Sequence, residues 1–308
     1  MNLKDAARPG LMISNIEPES RKVQGRTLEV LEEAMELDFF EAYQTVEVPY
    51  AAERLQMAAR AKANDLAMTY CLARVLNENK LDLSSLDEQL RKTSVEKLVP
   101  NFEDAVQQGC SVVQVISGPA EADPNQRAQQ LRCFEQSWLE LCEAARKYNL
   151  KVIVEPLDTY AHKKKAVGLT TEAVEMAGHL AGKVDNAFLC LDTSHMILNG
   201  EDVVSSVKTA MEYIDEFHIC NPVLNSDSEL FGDKHIKFGA PGVLDIQAVG
   251  SLIAGCRRMG FFSASRRPKL FFEVRNTGES VPDLIRYCQQ TLLNTWDIAR
   301  GQLQERAK

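Results

Sequence analysis

The feature of this 308-residue sequence that most limits what it can fold into is an alternation kept from one end to the other. Short apolar, strand-like runs near residues 10–15, 38–48, 65–72, 111–117, 151–155, 187–192, 215–220 and 269–275 are separated by longer stretches of helical periodicity. The helical spacing is clearest over 127–149, where Leu131, Phe134, Trp138, Leu141 and Ala145 share one face. Eight strand–helix units predict an α/β fold, a single (β/α)8 TIM barrel, with residues 1–308 as one catalytic domain. No Ser/Gly-rich linker divides the chain. An open doubly wound sheet is the competing arrangement, but no GxGxxG follows an early strand.

Composition narrows the partners. With 45% apolar and 26% charged residues, the chain has the balance of a globular protein. A net charge of −9 argues against nucleic acid or an anionic membrane as partner. No apolar run spans a bilayer and the opening MNLKDAARPG has no signal-peptide core, so a cytoplasmic location is expected. The eight cysteines are scattered without a CxxC pair and are expected as reduced core residues.

The run VIV at 152–154 is followed by Glu155 and then Pro156, which places a carboxylate at the end of a buried strand. Such a charge asks for a partner or a cation. Three further strands end the same way: Asp192 in FLCLDTSH, His218 in EFHICN and Glu273 in LFFEVR. Singly, each reads as a cap, an ion-pair partner or a core histidine. Together, at the strand ends where barrel enzymes keep their chemistry, they read as one metal site. Three carboxylates and an imidazole suit Mn²⁺ best, with Mg²⁺, Co²⁺ and Zn²⁺ also compatible.

The succession VIVEP, LDTSHM, FHICN, DKHIKFGAPGVLDI and FFEVR resembles the sugar phosphate isomerase/epimerase superfamily, the xylose-isomerase-like barrels that include ketose 3-epimerases. The resemblance runs from about residue 37 to 295. It implies that Glu155, Asp192, His218 and Glu273 bind one divalent metal, commonly Mn²⁺, that Glu155 and Glu273 are the catalytic acid/base pair, and that His195 contacts substrate oxygen. The implied function is a divalent-metal-dependent isomerase or epimerase of a sugar or sugar phosphate, working by proton transfer through an enediolate. The alternative is a lyase on the same site, either a dehydratase or the catalytic subunit of a C-glycoside deglycosidase with a small partner subunit. Homo-oligomerisation is open. Many epimerases of this group carry an acidic pair just after the metal histidine and an arginine further on, where this chain has Cys220, Asn221 and Leu224.

Further substrate contacts are expected from four residues besides the metal ligands. His195 lies on the loop after the sixth strand. His235 sits on a long segment, 221–244, read as a lid with Gly232, Gly239 and Gly242 as pivots. His162 opens the run HKKK on the loop after Glu155, and Arg275 is placed by strand alternation on the same side as Glu273.

Overall fold

Parallel strands close on themselves in the computed structural model, which describes residues 1–305. The barrel strands are β1 (Arg8–Met12), β2 (Ala42–Thr45), β3 (Ala67–Cys71), β4 (Val112–Val115), β5 (Lys151–Val154), β6 (Ala187–Asp192) and β7 (Ile214–Ile219). An antiparallel hairpin of β8 (Asn221–Val223) and β9 (Gly232–Ile236) follows, and β10 (Lys269–Phe272) completes the barrel by pairing with β7 and β1. The expected eight-stranded (β/α)8 architecture is therefore the one observed.

The two-residue period of the strands sorts their side chains into two layers. Val152 and Val154, Leu189 and Leu191, Phe217 and Ile219, and Leu270 and Phe272 face the surrounding helices and join the main core. Full burial of each such side chain is worth ~1.5–3 kcal/mol, so this outward row drives closure. The alternate positions point into the barrel, where Ile153, Cys190, Phe271, Met12 and Ala42 form small apolar clusters. Gly10 makes this filling possible, because a Cβ there would meet the Phe271 ring at 2.6 Å. The helix Pro124–Ala145 docks on the outside through Phe134, Trp138, Leu141 and Ala145, all fully buried, and the Trp138 indole donates to the Val152 carbonyl at 3.3 Å.

Boundaries differ from the sequence expectation in ways that matter for the site. β1 ends at Met12, and Ile13–Ile16 closes a helical turn through the Glu17 N–H to the Ile13 carbonyl at 2.9 Å. Ser14 and Asn15 therefore belong to the rim rather than to the first strand. Within the segment 221–244, β8 and β9 form an antiparallel hairpin, and the residues after it are tied back to Asn221. The Asn221 amide donates to the Lys237 and Gly239 carbonyls at 2.9 and 2.8 Å, while its oxygen accepts from the Leu244 N–H at 2.7 Å. None of the described helices is long and apolar enough to cross a membrane.

Candidate metal centre and active site

Inward alternation carries directly into the site. Ile153 is followed two residues on by Glu155, Cys190 by Asp192, Glu216 by His218 and Phe271 by Glu273, so each ligand-type side chain stands one step above a residue that fills the barrel. Glu155, Asp192, His218 and Glu273 each offer a donor atom within 4.8 Å of the others, and all four are buried. The structure thus brings the four strand-end residues together at the carboxyl end of the barrel.

The donors are held on one side and left free on the other. Asp192 caps the helix Thr193–Leu198: its Oδ1 accepts from the Ser194 N–H at 2.7 Å, the Ser194 hydroxyl at 2.6 Å and the His195 N–H at 3.2 Å. Its Oδ2 is buried with no hydrogen-bond partner among the described residues. Glu155 accepts the Gln114 amide on Oε2 at 2.6 Å, and Gln114 in turn accepts from Gln44 at 2.5 Å. His218 Nε2 lies 3.2 Å from Glu216 Oε2, and Lys269 Nζ sits 2.7 Å from Glu216 Oε1. The lysine keeps Glu216 ionised, and an ionised carboxylate only accepts, so Nε2 carries the proton. Nδ1 is left facing the other members of the cluster. It lies 2.6 Å from Glu273 Oε1 at an angle that makes no hydrogen bond.

An orphaned carboxylate oxygen and an imidazole nitrogen set among carboxylates are what a cation would satisfy; without one, burial opposes charge on His218 but its neighbours, Glu216 and Glu273 among them, hold its proton affinity well above the ordinary value. The proton affinities say the same. Burial, with Glu273 nearby, pushes the Glu155 carboxyl up to about 7, and burial with the same neighbour pushes Asp192 up to about 6. Glu273 is the exception: burial opposes its charge, but His235 and His218 hold it well below the usual carboxylate range. The donor set fits a divalent ion with a preference for oxygen ligands.

A second group of charges stands beside this centre, and two of its members were not picked out in the sequence. His195 places Nδ1 3.2 Å from Asp158 Oδ1 and Nε2 3.7 Å from Asp233 Oδ2. His235 Nε2 lies 3.2 Å from Asp233 Oδ2 and 2.9 Å from Glu273 Oε2. Lys163 Nζ reaches Asp233 Oδ2 at 3.0 Å and the Cys220 thiol donates to Oδ1 at 3.0 Å. Burial works against charge on both histidines, yet Asp158 and Asp233 raise His195 to about 9, and Asp233 and Glu273 raise His235 to about 10. Asp233 is thus the hub of this cluster. The signal available in sequence was its spacing: Asp233 and His235 alternate onto one face of β9.

His162 was expected at the substrate, and the structure places it elsewhere. Its Nδ1 accepts the Asp233 N–H at 3.2 Å, and the ring occupies the space left by Gly232, whose φ is +90° and whose Cβ would fall 2.3 Å from the ring. Its role is to fasten the loop after β5 to the hairpin. Arg275 does reach the pocket mouth, although β10 stops at Phe272 and strand alternation no longer governs it there. The cavity above the metal-ligand cluster has a volume of about 380 Å³ and is lined by Glu155, Glu273, His195, His235, Gln44 and Gln114 among others.

A closed parallel barrel with a convergent carboxylate–imidazole cluster at its strand ends defines an α/β-barrel protein built around a candidate metal centre. The chain belongs to the xylose isomerase-like TIM barrel family, whose sequence profile matches residues 33–264. No curated protein matches it by sequence. Among solved structures it is similar to L-ribulose 3-epimerase, with 18% identity, a TM-score of 0.71 and 98% of each chain covered. It is also similar to a D-tagatose 3-epimerase-like protein, with 16% identity, a TM-score of 0.69 and coverage of 96% of this chain and 99% of that one. A third is the IOLI protein with a bound zinc atom, with 15% identity, a TM-score of 0.69 and coverage of 94% and 97%.

Proposed function

We propose that this protein is a divalent-metal-dependent isomerase or epimerase of a small carbohydrate. The observation that carries the reading is the convergence of Glu155, Asp192, His218 and Glu273 within 4.8 Å at the strand ends. Support comes from two structures similar across nearly the whole chain, an L-ribulose 3-epimerase and a D-tagatose 3-epimerase-like protein. A cation bound there, Mn²⁺ first among candidates, would supply Lewis acidity at a sugar carbonyl and its neighbouring hydroxyl, which makes the carbon-bound proton between them removable.

The remaining work falls to side chains. Glu155 and Glu273 rise from β5 and from the end of β10, with β6 and β7 between them in the barrel order, so they approach a bound sugar from different walls. Glu155 has one oxygen occupied by Gln114, leaving the other to take the proton. Glu273, held ionised by two histidines, faces it as the second carboxylate. Return of a proton to the opposite face of the same carbon gives an epimer, and return to the adjacent carbon gives an aldose–ketose pair. His195, fixed by Asp158, holds Nε2 towards the pocket for a substrate oxygen.

Turnover of a ketose panel in D₂O with Mn²⁺ tests this. The expected product is isomeric with the substrate and carries one solvent deuterium, and Glu155→Gln lowers turnover by at least ~10³-fold. An isomeric product without deuterium points to a hydride shift, and a product lighter by water points to elimination; either result replaces this mechanism.

A further inference from the structure

The run HKKK resolves into three different lysines. Lys163 turns inward to Asp233, Lys164 is exposed with φ +51°, and Lys165 lines the cavity. The backbone around Lys165 is fixed on both sides. Its N–H donates to the Asp158 carbonyl at 3.1 Å, the Lys164 carbonyl accepts from Ala120 at 2.8 Å and the Ala166 N–H donates to the Gly118 carbonyl at 3.0 Å. Its ammonium meets the neutral Asn77 Oδ1 at 3.5 Å, and Asp82 acts on it only from beyond ion-pair distance. Among the described residues no carboxylate lies within ion-pair distance of Lys165 or of Arg275, the other cation at this mouth without a counterion. The other basic side chains of the cavity are already matched: Lys163 by Asp233, Arg74 by Glu78 at 3.7 Å, His195 by Asp158, and His235 by Asp233 and Glu273.

We propose that the cavity carries an anion subsite built on Lys165, with Asn77 beside it and Arg275 across the mouth, so that the substrate is a sugar bearing a carboxylate or phosphate. This deepens the sugar isomerase/epimerase reading and rests on it. A half-buried cation whose nearby carboxylate, Asp82, forms no ion pair with it costs desolvation energy that an arriving anion offsets. Burial indeed pushes the Lys165 ammonium below its ordinary value. A neutral sugar gives no return for that cost, since Asn77, Ser14 and Asn15 already supply hydroxyl partners at the same rim. The placement also runs against the charge of the whole chain, which is −9. Both cations stand on rim segments, Lys165 after β5 and Arg275 after β10, and not in the four-residue metal cluster. The anionic group is thus held away from the reacting carbon.

Calorimetric binding of D-fructuronate, D-fructose 6-phosphate and D-fructose to the Mn²⁺-loaded protein decides the matter. At least one charged sugar binds about tenfold or more tighter than D-fructose, the equivalent of about 1.4 kcal/mol. Which charged sugar wins tells carboxylate from phosphate. Lys165→Met removes the preference, Lys165→Arg restores most of it and Lys164→Met leaves it in place, each checked for folding by circular dichroism. Equal affinity for charged and neutral sugars, no binding of either charged sugar at millimolar concentration, or a preference that survives Lys165→Met overturns the subsite. Solvent deuterium in an isomerised neutral ketose would in that case leave the proton-transfer reading standing. Loss of metal-dependent exchange with every sugar would remove that reading, whatever the binding preference.

Discussion

Glu216 lies two residues below His218 on β7 and stands 3.2 Å from its Nε2. The same carboxylate takes Lys269 at 2.7 Å from the neighbouring strand β10, along with the Thr69 hydroxyl from β3. A buried ion pair beneath the site thereby fixes which nitrogen of the imidazole is free above it.

This relationship makes Glu216 matter for metal affinity although it does not join the ligand cluster. Glu216→Gln removes the charge that pins the Nε2 proton, and Mn²⁺ affinity is expected to fall ~10- to 100-fold. The single change also leaves Lys269 with less compensation, so the fold loses stability. Glu216→Gln combined with Lys269→Met removes both charges and is expected to recover stability without recovering affinity. Isothermal titration with Mn²⁺ beside thermal melts separates the two effects. Unchanged affinity in the double variant would sink the positioning role.

Asp192 offers a cleaner dissection of ligand from cap. Asparagine is as good an N-cap as aspartate, so Asp192→Asn keeps the start of the Thr193–Leu198 helix while removing a buried charge. Metal-free Asp192→Asn is expected to be more stable than the parent at pH 8, by roughly 3 kcal/mol, because ionising a carboxyl raised to about 6 is no longer required. Metal affinity drops at the same time. A variant that melts lower than the parent without metal contradicts this account.

The pH dependence follows with a definite sign. Glu155 and Asp192 have folded values of about 7 and about 6, above their unfolded ones, so between pH 5 and 7 the folded state binds more protons and metal-free stability falls as pH rises. His195 and His235, raised to about 9 and about 10, extend that loss above pH 7: the stability they add is full below their unfolded value and fades through the folded ones. Glu273 and Asp233, held low, are ionised in both states across this range and contribute no slope. Metal competes with the protons on its ligands. The rise in Tm given by Mn²⁺ over a chelator should therefore grow from pH 5.5 to pH 8. A rise that is constant over that range would show that the cation does not displace those protons.

Gly232→Ala tests the fastening of the rim. A methyl there meets the His162 ring at 2.3 Å on a backbone whose φ is +90°, so stability should drop by ~1–3 kcal/mol. Because His162 accepts the Asp233 N–H, sugar affinity should weaken along with it. Faster proteolysis within residues 157–168 is the accompanying readout; unchanged cleavage would mean that the loop after β5 is held without His162.

The parts legible in sequence were those that depend on local pattern. Alternating apolar runs marked all eight barrel strands, and Glu155, Asp192, His218 and Glu273 stood out because each ends such a run. The profile match supports the family expectation on 33–264. What escaped notice depends on register between distant segments. Asp233 gains its meaning from Lys163, His195 and His235, which arrive from the loop after β5, the helix Thr193–Leu198 and its own strand. Asp158 is visible as one more loop aspartate until His195 is seen 3.2 Å away. Glu216 and Lys269 are 53 positions apart and become a pair only through the β7–β10 ladder. His162 was misplaced for the same reason, since a missing side chain at Gly232 cannot be read from the HKKK run.

The two-residue spacing that stacks Glu155 over Ile153, Asp192 over Cys190, His218 over Glu216 and Glu273 over Phe271 has a consequence for how such a protein can diverge. A single inserted or deleted residue within β5, β6, β7 or β10 would turn a ligand outward into the helical layer and bring an apolar residue into its place. The walls therefore tolerate exchange of residues but not change of length. Segments such as 157–168 and 221–244 carry no such parity constraint. New substrates can be accommodated by lengthening or trimming them while the four inward side chains stay in step.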